Sequence, residues 1–333
     1  MAVPVASALA NMIDAKSAAV VRTIASVSPI MRRIYFKSIG KALTYERSID
    51  STVPTPIYVG LNGSIAAGDM VQGSTRIVKD TVARLVLPMR LDSAIKNVPS
   101  RWEDEEKKQM RLGAVGLGLK FDSDFFLAQG LLAANFNDSQ GVYDRMANGL
   151  ADSTIPSFMR VSMAGQLTLE GLDELLRVTQ VQAPDSETKI TLFMNSKLKM
   201  KIMGLARDPS YSGMVRITED KDAFGVPFTR YGNAEIAVVE RTDNGNSALS
   251  FTETTTGRPT EGTGETGTAS IWAVAFGNEQ GVYAFGQDQL GMSVKPFEHV
   301  PGQLYEDSVT PWYFNFVVDG PRAVGRLHSI ALP

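Results

Sequence analysis

The chain has 333 residues, 44% hydrophobic and 21% charged, with no cysteine, two histidines and a formal net charge of -3. That length supports two or three compact units or one elaborate domain, and the composition excludes a disordered chain. The missing cysteines exclude disulfides and thiolate metal sites, the near-neutral charge excludes the whole chain as an electrostatic partner for nucleic acid, and the lack of any apolar run of about 18 residues excludes a membrane-spanning helix.

The start, MAVPVASALANMIDAK, has no positively charged leader and is not read as a secretory signal. Charge is uneven. Residues 1–40 carry Lys16, Arg22, Arg32, Arg33 and Lys37 against Asp14, a net +4, which leaves about -7 on the remainder. Such a segment is either a solvated basic helix face or an arm that reaches toward a negative surface. Apolar recurrences at Leu9, Ile13, Val20 and Ile24 predict one or two helices over 5–27, and Pro29 ends them because proline cannot donate its backbone N–H. The chain then turns extended around ALTYER.

Residues 50–74 are rich in Gly, Pro, Ser and Thr and read as loop or hairpin. They run into a strand that places Ala83, Leu85, Leu87, Met89 and Leu91 on one face and Arg84, Arg90 and Asp92 on the other. Together these segments predict a long two-stranded excursion, which is marginal without a partner surface. A helix follows, opened by a capping box of Ser100 and Glu103, with Met110, Ala114, Leu117, Phe121 and Phe125 on one face. Gly113, Gly116 and Gly118 inside it reflect either close packing against a neighbouring backbone or simple tolerance.

Residues 167–178 predict a capped amphipathic helix. ITLFMNS (190–196) is a short buried strand ending in a cap, and KLKMKIMGLA continues as a helix with Leu198, Ile202 and Leu205 inward. TEDKD (218–222) reads as a solvated turn. DAFGVPFTRYGNAEIAVVE (222–240) predicts a hairpin punctuated at Tyr-Gly. SALSFTE (247–253) and SIWAVAFG (270–277) flank a Gly-, Thr- and Glu-rich loop, GVYAFG (281–286) is another strand, and the end predicts two strands around a Gly-Pro turn.

No reactive constellation emerges. His299 and His328 have no HExxH or HxH spacing, no GxSxG or phosphate loop is present, and GAVGLG (113–118) has the dinucleotide glycines in the wrong order inside a predicted helix. EDEE (103–106) fits the positive dipole end of that helix. Arg230 and Arg258 have no acidic motif that would define a site. No residue is assigned a catalytic, cofactor-binding or metal-binding role, and the chain is not expected to be an enzyme.

In their order, LTLEGLDELLRV and ITLFMNSKLKMKIMGLARD (167–207), the 222–240 hairpin, SIWAVAFGNEQGVYA (270–284) and TPWYFNFVVDGPRAVGRLHSI resemble the major capsid proteins of tailed bacteriophages with the Hong Kong 97-like fold. The resemblance covers roughly residues 30 to 330. It departs where relatives often carry Gly-Ile-Pro-Ile after the tyrosine: here GNAEI places Glu235 where proline would stand.

The resemblance implies an α+β fold: an N-terminal arm over 1–44, an extended β-hairpin loop over 45–92, a peripheral domain over 93–185 with a spine helix at about 100–129, an axial domain over 186–305, and C-terminal strands over 306–333 returning to the peripheral domain. It implies a virion head protein, assembled in the host bacterial cytoplasm, that associates with itself into pentamers and hexamers of an icosahedral shell around double-stranded DNA. Implied partners are a separate scaffolding protein, a portal protein and a decoration protein, with non-specific DNA apposition, no membrane and no cofactor. An encapsulin-like cargo shell and a monomeric α+β enzyme or binding module are the alternatives.

Overall fold

The fold is described from a computed structural model, for residues 3–10, 12, 15–52, 74–93, 102–128, 139–147, 159–179, 189–207, 217–221, 224–239, 249, 267–277, 281–287, 290, 292, 294–320 and 322–331. Its helices are α1 (Val5–Ala10), α2 (Ala15–Val27), α3 (Trp102–Leu127), α4 (Val142–Ala147), α5 (Leu169–Thr179) and α6 (Ser196–Arg207). Strands β1 (Val3–Pro4), β2 (Tyr35–Ser38), β3 (Thr44–Thr52), β4 (Ser74–Thr81), β5 (Ala83–Asp92), β6 (Arg160–Gln166), β7 (Lys189–Met194) and β8 (Ile217–Lys221) come first. They are followed by β9 (Pro227–Tyr231), β10 (Ala234–Val238), β11 (Thr268–Phe276), β12 (Val282–Gly286), β13 (Glu298–His299), β14 (Tyr305–Val318) and β15 (Val324–Ala331).

Thirteen of these strands join one mixed sheet, in the order β1-β2-β12-β11-β7-β10-β9-β8, with β14 bridging β12 to β13 and β5, and β15 bridging β11 to β6. Strand period two sorts its side chains. Trp272, Val274 and Phe276 of β11, with Phe193 of β7, enter a core shared with α2, α3 and α4. Ile271 and Ala273 of β11, with Leu192 and Met194 of β7, enter a second core under α5 and α6. The sheet is thus covered on both faces, which explains why β7 and β11 read as continuous apolar runs.

The helices begin and end where side-chain chemistry dictates. The Thr168 hydroxyl accepts the Gly171 N–H at 3.2 Å to cap α5, and Asn195 accepts the Leu198 N–H at 2.8 Å to cap α6. Leu198 and Ile202 are buried, and Leu205 packs against them from the edge. Gly232, at a φ of 58°, closes the β9–β10 hairpin in the left-handed region that glycine enters freely. Ser100 and Glu103, the expected capping pair of α3, lie outside the described side chains, as do residues 254–266 of the predicted loop and all of SALSFTE but Leu249.

Helix α3 docks through the face its sequence predicts. Phe121 stacks on Trp312 at 5.0 Å and meets Phe314 and Phe316 at 5.2 and 5.1 Å. Its three glycines differ. A Cβ on Gly118 would lie 3.3 Å from the Ile24 carbonyl oxygen of α2, one on Gly113 would press on Leu87, and one on Gly116 would meet nothing within 4 Å. Gly116→Ala is therefore expected to stabilise the fold by about 1 kcal/mol. Gly118→Ala should fall short of that gain because the α2 backbone must move, a difference that paired urea titrations measure.

Three expectations are corrected. The ribbon does not run to residue 92: β3 pairs with β4 as a separate two-stranded sheet, whereas β5 pairs with β14 from Ala83–Phe314 to Asp92–Tyr305. The alternation of β5 supplies an inward face, and Leu91 and Ala83 bury there. Residues 1–44 do not extend away as an arm, because the apolar face of α2 (Val21, Ile24, Ala25) buries in the main core and β2 lies parallel to β12. TEDKD is mostly strand: β8 pairs with β9 and stays exposed.

Candidate functional site

The described part of the ribbon, β3–β4, stands apart from the main sheet, so its root carries the burden of orienting it. Two contacts do so. Tyr45 packs against Phe285 with ring centres 5.2 Å apart, receives a hydrogen bond from Lys37 Nζ at 2.7 Å, and lies 3.1 Å from the Tyr283 hydroxyl. Burial, with Asp319 and Tyr45 nearby, raises the Tyr283 hydroxyl above its ordinary range. On the same face of the ribbon, where Asp80 pairs directly with Tyr45, lies a buried ion cluster. Arg145 of α4 donates through Nη2 to Asp80 Oδ1 at 2.8 Å and to the Phe316 carbonyl at 2.6 Å. Arg47 of β3 donates through Nη1 to the Val318 carbonyl at 2.6 Å and to Asp319 at 3.1 Å. Its Nε approaches the Asp80 carboxylate at 3.3 Å, an ionic contact without hydrogen-bond geometry.

These charges are almost fully withdrawn from water: the Arg47, Asp80 and Arg145 side chains are 4%, 5% and 1% exposed. Desolvating ions is expensive, so the cluster is a device of geometry more than of net stability. It joins β3, β4, α4 and the end of β14 at one point. The exposed Glu46–Lys79 pair, one rung along from Tyr45 and Asp80, contributes little.

Beside the root, β5 and β14 present an outward face. Arg90 lies 3.7 Å from the Tyr305 ring centre and grips Asp307 with two hydrogen bonds of 2.9 and 3.1 Å. Arg84 lies over Tyr313 at the other end, and between them Val86 and Val309 are 37% and 42% exposed. A groove of about 440 Å³ separates α2 from α3, floored by Val20, Met110 and Ala114 and rimmed by Lys16, Lys107 and Arg111.

Where α2 meets α3, Ser28 donates to Asp122 at 2.5 Å. Burial drives the Asp122 carboxyl up to about 8, against the opposing pull of the Ser28 hydrogen bond, the Ile30 amide and the charges of Arg32 and Arg33. The folded state keeps this proton to about pH 8, whereas the unfolded chain releases it near the ordinary 3.8. The raised acid pKa means that stability falls as pH rises through that window, by up to ~1.4 kcal/mol per pH unit. Asp122→Asn is expected to remove this slope, read as the pH dependence of the stability difference between variant and wild type.

Among the described residues, the structure does not gather the chemistry-bearing residues into one site. His299 is exposed on β13. His328 is half-buried on β15, 2.8 Å from the Ser329 hydroxyl, and burial with the charges of Arg326 and Arg160 lowers its pKa. GAVGLG is interior to α3, and Arg258 lies outside the described residues. Arg230 pairs with Asp220 at 3.4 Å on the surface. Among the described residues there is no group of three or more His, Asp or Glu placed to hold a metal, and no helix long and apolar enough to cross a membrane.

The ion cluster, the Ser28–Asp122 bond and the Arg33–Glu235 pair all escape sequence reasoning. Asp144 and Arg145 stand between the apolar Val142, Tyr143 and Met146 of α4, a local hint of the ion cluster, and are buried with them. Glu235, which in the sequence is only a departure from the family pattern, is buried and pairs with Arg33 Nε at 2.9 Å.

Shell proteins among the solved structures share this architecture. The chain has the Hong Kong 97-like capsid fold, of the α+β class. The holo-SrpI encapsulin complex from Synechococcus elongatus PCC 7942 superposes with a TM-score of 0.60 at 14% identity, covering 92% of this chain and 89% of that one. The capsid of a native GTA particle gives 0.51 at 10% identity over 93% and 91%. The mature capsid of bacteriophage PhiM1 gives 0.50 at 10% identity over 90% and 86%. No protein-family model matches the sequence, and no curated protein matches it.

Proposed function

We propose that the chain is a building block, not a catalyst: the repeating subunit of a closed icosahedral shell, of the kind that forms a phage head around double-stranded DNA. The observation that carries this reading is the β3–β4 ribbon. It is set outside the main sheet, yet its root is pinned by Tyr45 and by the Arg47–Asp80–Arg145 cluster. A two-stranded ribbon is marginal alone, and a rigid root pointing it outward suits a contact with a sister molecule. Closed symmetry then multiplies modest contacts. Within this reading the ribbon serves as the extended loop, α3 as the spine of a peripheral unit, and residues 186–305 as the axial unit of pentamers and hexamers.

Lys16, Lys107 and Arg111 along the α2–α3 groove, offset there by Glu106, support apposition to nucleic-acid backbone without sequence readout. A scaffolding protein, a portal and a decoration protein are the further partners this reading calls for, and the virion is its location. The expressed chain examined by negative-stain microscopy is expected to give capsomers or shells. A uniform particle of about one chain would overturn the proposal in favour of a monomeric module.

The encapsulin superposition at a TM-score of 0.60 favours a second reading, a shell around protein cargo. Particles purified from the native source separate the two: nuclease-protected DNA supports the head, and a co-purifying enzyme supports the cargo shell.

A further inference from the structure

Residues 28–34, between α2 and β2, are held at both ends. At one end the Ser28 hydroxyl donates to Asp122 of α3, which is 2% exposed. At the other, Arg33 Nε donates to Glu235 of β10, and the Arg33 guanidinium lies 6.0 Å from the Phe228 ring centre of β9. Arg230 approaches the same ring at 5.2 Å. Between these ends the turn is knitted to itself. Met31 N–H donates to Ser28 Oγ at 2.9 Å, Arg33 N–H and Ile34 N–H donate to the Ile30 carbonyl at 2.9 Å each, and Arg33 Nη1 donates to the Pro29 carbonyl at 2.9 Å. Ser28, Ile30, Met31 and Ile34 are fully buried.

We propose that residues 28–34 form a strap that couples the β9–β10 hairpin to helix α3, so that loosening either end loosens the other. The hairpin and the helix belong to distant stretches of sequence. A self-bonded turn with buried polar contacts at both ends transmits displacement, because releasing one end leaves a buried charge or hydroxyl unpaired and the turn cannot relax by halves. The device acts within a single chain, whether or not copies assemble. It also gives Glu235 a role at the position where the resemblance would place proline, which has no carboxylate to hold Arg33.

Hydrogen exchange on the full-length chain tests this, with wild type and variants compared in the same assembly state. Glu235→Gln is expected to speed exchange about tenfold at the β9–β10 hairpin and also in α3 around Asp122. Coupling is reciprocal, so Ser28→Ala should speed exchange in β9–β10. Breaking the exposed Arg177–Glu174 pair by Glu174→Gln is the control and should leave both regions unchanged. Where Glu235→Gln does not fold, Arg33→Lys supplies the same reading, since lysine keeps the charge but loses the guanidinium fork. Faster exchange confined to the mutated end, in both the Glu235 (or Arg33) and Ser28 variants, overturns the strap.

Discussion

Asp80→Ala is expected to destabilise the fold by about 3–5 kcal/mol and to unpin the ribbon. Asp80 is the carboxylate shared by two buried guanidiniums, Arg47 and Arg145. Removing it leaves Arg145 with the Phe316 carbonyl alone and Arg47 with Val318 and the more exposed Asp319. An uncompensated buried charge costs far more than the pair contributes, which is the source of that magnitude. Asp80→Asn should cost nearly as much, since the amide keeps the shape but not the charge. Replacing Arg47, Asp80 and Arg145 together with apolar residues of similar volume should recover most of the loss, because no ion is then left buried. Urea titration measures all three variants, and limited proteolysis reads the β3–β4 segment separately. An Asp80→Ala variant with unchanged stability and unchanged cleavage would show that the cluster does not hold the root. Within the proposed function, the triple apolar variant separates stability from assembly: a folded chain that no longer forms shells would show that the ions set the ribbon's direction.

The second large effect is expected at Phe121, which is fully buried and meets Trp312, Phe314 and Phe316 along the inner face of β14. Phe121→Ala should cost about 3–5 kcal/mol, from lost apolar burial and the cavity left between helix and sheet. The stacked geometry with Trp312, inclined by 13°, adds a specific aromatic term. Phe121→Leu should retain more of the stability, and both variants should weaken the near-ultraviolet circular dichroism of the aromatic cluster. If alanine there cost no more than a surface substitution, α3 would not be docked through this face.

Legibility followed from how local the determining physics is. The face of α3 was readable because its apolar residues recur at three and four, and the caps at Thr168 and Asn195 because a hydroxyl or amide precedes each helix. The alternation of β5 was equally plain. Its partner was not, since period two states which face is inward and is silent on which strand lies alongside. Residues 83–92 therefore looked like half of a hairpin and proved to be an edge strand on β14. The N-terminal helix misled in the same way: the recurrence of Val20 and Ile24 declares an apolar face, and the covering surface is the chain's own α3, with Ile24 and its neighbours Val21 and Ala25 buried and Val20 left at the edge.

The amino-acid order alone determined the long helix α3 with its apolar face and the hairpin at Gly232, because periodicity and turn chemistry act over a few residues. Only the tertiary structure decided the Arg47–Asp80–Arg145 cluster and the Ser28–Asp122 and Arg33–Glu235 ties, which join residues 33 to 202 positions apart. A lone arginine or glutamate in a sequence carries no mark of its partner. Burial makes the pairing obligatory, and burial exists only once the sheet and its helices have closed around it.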